Sequence, residues 1–75
     1  MFDLSTMKVG SKSEIIEIEN SSIKSKLIEM GFLVGRSLEV AFKAPLGDPI
    51  AIEINSTVIS LRKDEAAFIK VREKN

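Results

Sequence analysis

Ala44-Pro45-Leu46-Gly47-Asp48-Pro49-Ile50 separates two strongly alternating segments, and it is too long and too rich in proline for a simple hairpin. Before it, Leu38, Val40 and Phe42 alternate with Ser37, Glu39, Ala41 and Lys43; after it, Ile50, Ile52 and Ile54 alternate with Ala51, Glu53 and Asn55. Period two over both segments predicts half-buried strands joined by a structured loop. Pro49 has no N–H to give a ladder, so it belongs at the start of the second strand, and it pushes Asp48 towards extended geometry. Gly47 can take the positive φ such a turn often needs. Leu46 is apolar where a solvent loop would carry a polar residue. It is therefore either a plug on the end of the fold or part of a binding surface.

Outward from this loop, the chain reads as one domain over residues 1–75. Met1 to Met7 is a short lead whose Phe2, Leu4 and Met7 can pack on the domain, and Ser5, Thr6 and Gly10 make a turn. Ser13 to Glu19 predicts a first strand with Ile16 and Ile18 on one face and Glu17 and Glu19 on the other; alternation leaves Ile15 unexplained. Asn20, Ser21 and Ser22 supply N-cap oxygens for a helix carrying Ile23, Leu27 and Met30 at i, i+4 and i+7. Gly31 is placed to end that helix as a left-handed C-cap. Lys24 and Lys26 lie off its apolar stripe, facing solvent.

Phe32 to Gly35 forms a turn back into the strand of residues 36–43. Past the central loop come strands at 50–55 and 57–62, tightly connected at Asn55 and Ser56, with Ile59 and Leu61 facing in. Residues 63–67 suit one helical turn, Phe68 to Arg72 a last strand with Ile69 and Val71 inward, and the final three residues fray. The expected fold is mainly β, a small barrel of about five strands. One short α-helix lies between the first and second strands, and a helical turn precedes the last. Closing the sheet would remove edges that invite aggregation, and an interior this small is filled by side chains, so function belongs on loops and the outer surface.

Composition excludes several classes of chemistry. The chain has 75 residues, of which 44% are hydrophobic, which supports a real core. It has no Cys, which removes disulfides, thiolate zinc sites, iron–sulfur clusters and cysteine nucleophiles. It has no His, which removes catalytic triads and imidazole metal sites. No Gly-rich phosphate loop exists among the four scattered glycines, and adjacent Asp64 and Glu65 diverge from one another, so no catalytic residue and no cofactor is assigned.

Eleven basic and eleven acidic residues cancel, leaving no field that steers the domain to nucleic acid or an anionic membrane. The apolar runs are too short to insert in a bilayer, and Asp3 sits where a secretory signal would want positive charge. The expectation is a soluble cytoplasmic domain.

Three motifs in order, Leu27-Ile28-Glu29-Met30-Gly31-Phe32 with Gly35, the 44–50 loop, and Leu61-Arg62-Lys63 with Glu65-Ala66, resemble the FeoA family of bacterial ferrous iron transport. The resemblance runs from about Leu4 to Val71. It implies an SH3-like barrel in the cytoplasm that works with a FeoB-type membrane transporter, whose cytosolic portion carries a GTP-binding domain. The same fold occurs as the terminal domain of iron-dependent repressors, which leaves direct Fe²⁺ binding or a metalloregulatory role as the alternative.

The ligands on offer for iron are hard oxygens, Asp48, Glu53, Asp64 and Glu65, where ferrous sites usually want imidazole too; no metal site is assigned. The candidate partner-binding residues are Leu46, Gly47, Asp48, Met30, Phe32 and Leu33. Self-association stays open.

Overall fold

The computed structural model describes residues 2–74. Six strands form a single antiparallel sheet: β1 (Phe2–Asp3), β2 (Lys12–Ile18), β3 (Ser37–Lys43), β4 (Ile50–Ile54), β5 (Thr57–Leu61) and β6 (Ile69–Lys74). Their spatial order is β1-β6-β2-β3-β4-β5. A short helix, α1 (Lys24–Glu29), joins β2 to β3, and a single turn, α2 (Lys63–Ala66), joins β5 to β6. The sixth strand beyond the expected five is β1, where Phe2 and Asp3 pair with Val71 and Lys70. Asp3 then begins a 3-10 turn over Leu4–Thr6 by accepting the N–H of Ser5 at 2.9 Å.

Two bulges set which residues face the core. β2 pairs Ile15 with Val71 and Glu17 with Lys70, so Ile16 is an extra residue with no partner on β6. The insertion shifts the inward phase from Ser13 and Ile15 to Ile18, all three buried, and leaves Ile16 half-buried on the other side. This corrects the simple alternation that put Ile16 inside, and it accounts for Ile15.

The second bulge lies in β3, where Val40 pairs with Ile52 but Phe42 pairs with Ala51. Ala41 is the extra residue. Leu38 and Val40 are buried as expected, whereas Phe42 is turned out and 59% exposed. Period two applies only to an uninterrupted ladder, and one inserted residue inverts every position beyond it.

Leu4, Ile15, Leu27, Phe32, Val40, Ile50, Ile52, Leu61, Ile69 and Val71 belong to one continuous buried cluster. Ile23 and Met30 pack on it, so the predicted helical stripe is the face that α1 presents to the core. The expected N-cap is absent: Ile23 occupies the cap position with no side-chain hydrogen bond, and the buried Ser21 hydroxyl has no partner among the described residues.

The C-terminus of α1 follows expectation. Gly31, at φ +106°, donates to the Ile28 carbonyl at 3.0 Å, and Phe32 donates to the Leu27 carbonyl at 3.1 Å. These two bonds, with Leu27 and Phe32 both in the core, make a Schellman motif. Arg36 adds a hydrogen bond from Nη1 to the Gly31 carbonyl at 3.2 Å.

β6 extends to Lys74, where Glu73 and Lys74 pair with Ser13 and Lys12, so two of the three residues expected to fray are in the sheet. Met1 and Asn75 lie outside the described residues. The sheet curls round its core without closing: β1 and β5 are its two edges, and among the described residues no ladder joins them. Edges therefore remain, contrary to the expectation of full closure.

Replacing Gly31 with Ala should destabilise the domain by about 1–2 kcal/mol, because a Cβ disfavours the left-handed conformation while nothing else obstructs it. Thermal unfolding checks this, with a drop of roughly 4–8 °C expected for each kcal/mol lost.

Candidate functional site

The sequence-predicted contact residues fall in two places. Leu46 stands at the tip of the β3–β4 loop and is 95% exposed, which excludes the plug. Gly47, at φ +85°, donates to the Ala44 carbonyl at 2.7 Å, and Ala44 donates to the Pro49 carbonyl at 3.1 Å, so a compact hydrogen-bonded turn holds the tip up. The Asp48–Pro49 peptide bond is cis, and β4 begins directly after it.

Asp48 is also exposed, but its carboxylate is engaged. Its Oδ1 accepts the main-chain N–H of Lys63 at 3.0 Å, which ties the loop to the first residue of α2. At the same turn Glu65 Oε1 accepts the N–H of Arg62 at 2.9 Å, and Glu65 Oε2 lies 3.4 Å from Lys26 Nζ on α1. Loop, α2 and α1 are thus connected through polar contacts. The N–H of Arg62 first, and the Lys26 ammonium with it, hold the Glu65 carboxyl below its ordinary value. Glu14 is lowered too, by the guanidinium of Arg72 at 2.7 Å, and Lys70 is raised by Glu19 at 2.7 Å.

The second place is a groove between α1 and β2 that sequence reasoning did not find. Ile28, Leu33 and Val34 line it together with Ile16 and Ile18, and Phe32 is its floor. Glu17, Asn20 and Lys24 complete its polar wall. Val34 is 66% exposed, and Ile28 and Leu33 about 40%, so an apolar surface faces solvent here. Its existence depends on the β2 bulge, which turns Ile16 away from the core.

Of the expected contact residues only Leu33 belongs to this groove with an exposed side chain. Phe32 is fully buried: its ring packs in the core with Leu27 and lies beneath the groove. Met30 is half-buried against the core.

Of the four carboxylates considered as iron ligands, Asp48, Asp64 and Glu65 lie around the N-terminus of α2, and Glu53 lies apart. Asp48 and Glu65 bind main-chain N–H groups. Glu53 sits on β4 opposite Glu39 of β3, away from both. Among the described residues no group of three or more Asp or Glu side chains is placed to hold a metal ion. No helix of the structure is long and apolar enough to cross a membrane.

Asp48→Ala should cost about 1 kcal/mol through the lost cap of α2, whereas Asp48→Asn, which keeps an acceptor oxygen, should cost less. Urea unfolding with amide NMR of residues 62–66 measures both. A pH series tests the carboxylates. Glu65 and Glu14 are lowered in the folded state, so their contribution is present above the unfolded value near 4.5 and lost as pH falls through the lower folded values. Lys70 has the opposite sign, contributing fully below 10.5 and losing its contribution as pH rises through its higher folded value. The urea midpoint should therefore hold between these limits and drop below about pH 4.5, less steeply in Glu65→Gln.

Comparison with known proteins places this geometry in a family. A model described as the FeoA domain matches residues 2–73. A Fe(2+) transport protein A/Fe(2+) transporter FeoB fusion protein of Porphyromonas gingivalis is 35% identical over 69 residues, 91% of this chain but only 8% of the fusion protein's length. The NMR structure of a FeoA-like protein from Clostridium acetobutylicum superimposes with a TM-score of 0.90 at 36% identity, covering 96% of this chain and 85% of that one. A zinc complex of FeoA from Stenotrophomonas maltophilia, described as an SH3 domain protein, superimposes with a TM-score of 0.84 at 25% identity over 96% and 91% of the two chains. The six-stranded sheet with its two short helices is thus the SH3-like fold, and the chain belongs to the FeoA family.

Proposed function

We propose that this chain is a non-enzymatic interaction module that docks on the cytosolic side of a FeoB-type ferrous iron transporter and modulates its activity. The observation that carries the reading is the fusion relative, in which a segment 35% identical to this chain belongs to a polypeptide named for both transport proteins. A covalent link between two modules raises the effective concentration of one at the other, an arrangement that suits partners which bind as separate chains.

The surface supports the same reading. Two of the four candidate carboxylates, Asp48 and Glu65, are occupied in structural hydrogen bonds, whereas apolar side chains are held out at two places. Leu46 is the anchor on the loop. Leu33, with Ile28 and Val34, is the anchor in the α1 groove. Gly47 and Asp48 hold the loop in position, and Met30 and Phe32 support the groove from the core side. Side chains presented on a rigid frame bind with little ordering cost, and a few well-packed anchors carry most of the energy in an interface.

The test is an amide NMR titration of the labelled domain with the cytosolic region of the FeoB-type transporter from the same genome, in both nucleotide states. Saturable shifts should cluster on the groove and the 44–49 loop. Leu46→Glu and Val34→Glu should each weaken binding about tenfold or more, with melting temperature within about 2 °C of wild type, because both side chains leave the core untouched. A flat titration in both nucleotide states would reject docking on the soluble region.

A further inference from the structure

The edge strand β5 is a different kind of surface. Its sequence, Thr57-Val58-Ile59-Ser60-Leu61, carries no charge and no proline, and its ladder with β4 runs without a bulge through all five residues. Those are the devices by which sheet edges are usually protected. The opposite edge is protected differently, since β1 has two residues and runs at once into a 3-10 turn. Both bulges of the sheet are on interior strands, where they shape the core and leave β5 flat.

The hairpin turn determines which main-chain groups are free. Asn55 and Ser56 have φ of 55° and 64°, the type I′ pattern, so Ile54 and Thr57 form the hydrogen-bonded closing pair. Alternation along the ladder then gives Ile52 with Ile59, and Ile50 with Leu61, as the bonded pairs. The N–H and C=O groups of Val58 and Ser60 point the other way, off the sheet. Among the described residues neither has another main-chain partner.

We propose that β5 pairs with β5 of a second copy, antiparallel across a two-fold axis at Ile59, to give a continuous twelve-stranded sheet. In that register Val58 exchanges two hydrogen bonds with Ser60 of the second copy, and Ser60 does the same with its Val58. The pattern is self-complementary, as an isologous interface requires. Ile59 meets its own counterpart on the concave side, where it is packed on the core but only half-buried in the single chain. On the convex side Val58, 63% exposed, lies beside a serine, and no charge stands on either strand at the seam. The two-residue β1 is too short to accept β5 of a neighbour, so the assembly closes at two copies rather than growing as a fibre.

Five residues a side bury far less than the ~1,600 Å² of a standard interface, so the dimer should form at roughly 0.1–1 mM rather than at trace concentration. This inference is independent of docking on a transporter, which involves other residues.

Sedimentation equilibrium from about 20 µM to 1 mM, with hydrogen exchange at the same concentrations, is the test. The wild type should pass from monomer to dimer, and the Val58 and Ser60 amides should gain protection as it does. Val58→Lys places a charge on the seam, and Val58→Pro removes an N–H that β4 does not use; both should remain monomeric. An amide spectrum unchanged away from β5 establishes that Val58→Lys is folded. The proposal is overturned if the wild type stays monomeric to 1 mM, or if a dimer persists in Val58→Lys with the Val58 and Ser60 amides unprotected in the wild type.

Discussion

Everything in this small domain depends on β2, the strand that is hydrogen-bonded to β6 on one side and β3 on the other, and on the single extra residue within it. Were Ile16 paired in a regular ladder instead of bulged, the inward phase would run Ser13, Ile15, Glu17, and a carboxylate would enter the core at a high cost. With it, Ile15 and Ile18 both reach the buried cluster. The same insertion aims Ile16 away from the core and towards α1. One backbone irregularity thus completes the core and opens the groove.

The polar contacts around α2 fix the geometry of the other candidate surface. A helix of four residues has almost no intrinsic stability, since its nucleation cost is scarcely repaid by propagation. Here its N-terminal N–H groups are taken by Asp48 from the loop and by Glu65 from within the turn, while Ala66 is buried beneath. The loop is fixed by the helix as much as the helix by the loop. That mutual support explains how a six-residue connection can hold Leu46 at 95% exposure on a defined turn.

Charge is balanced across the chain, and its ion pairs are peripheral: Glu14 with Arg72, Glu19 with Lys70, Glu65 with Lys26. Exposed pairs of this kind contribute little, typically about 0–1 kcal/mol each. The core and the sheet carry the stability. A FeoA relative 35% identical to this chain over 69 residues is joined to FeoB in a single polypeptide.

Residues close in sequence were legible because their physics is local. The alternation around the 44–50 loop marked β3 and β4. Ile23, Leu27 and Met30 marked the buried face of α1, and Gly31 marked its end, because a left-handed residue is needed there whatever surrounds it. The spaced motifs carried the family resemblance. The tertiary structure alone decided the rest. A bulge is a relation between two strands, so neither the exposure of Phe42 nor the burial of Ile15 can be read from one segment. The pairing of β1 needed β6, contributed almost seventy residues later. Asp48 and Lys63 are 15 residues apart and meet only after folding, and the groove collects side chains from α1, β2 and the turn between α1 and β3. Local sequence specifies periodicity and turns; which faces meet, and which are left to solvent, is determined only when the sheet curls round its core.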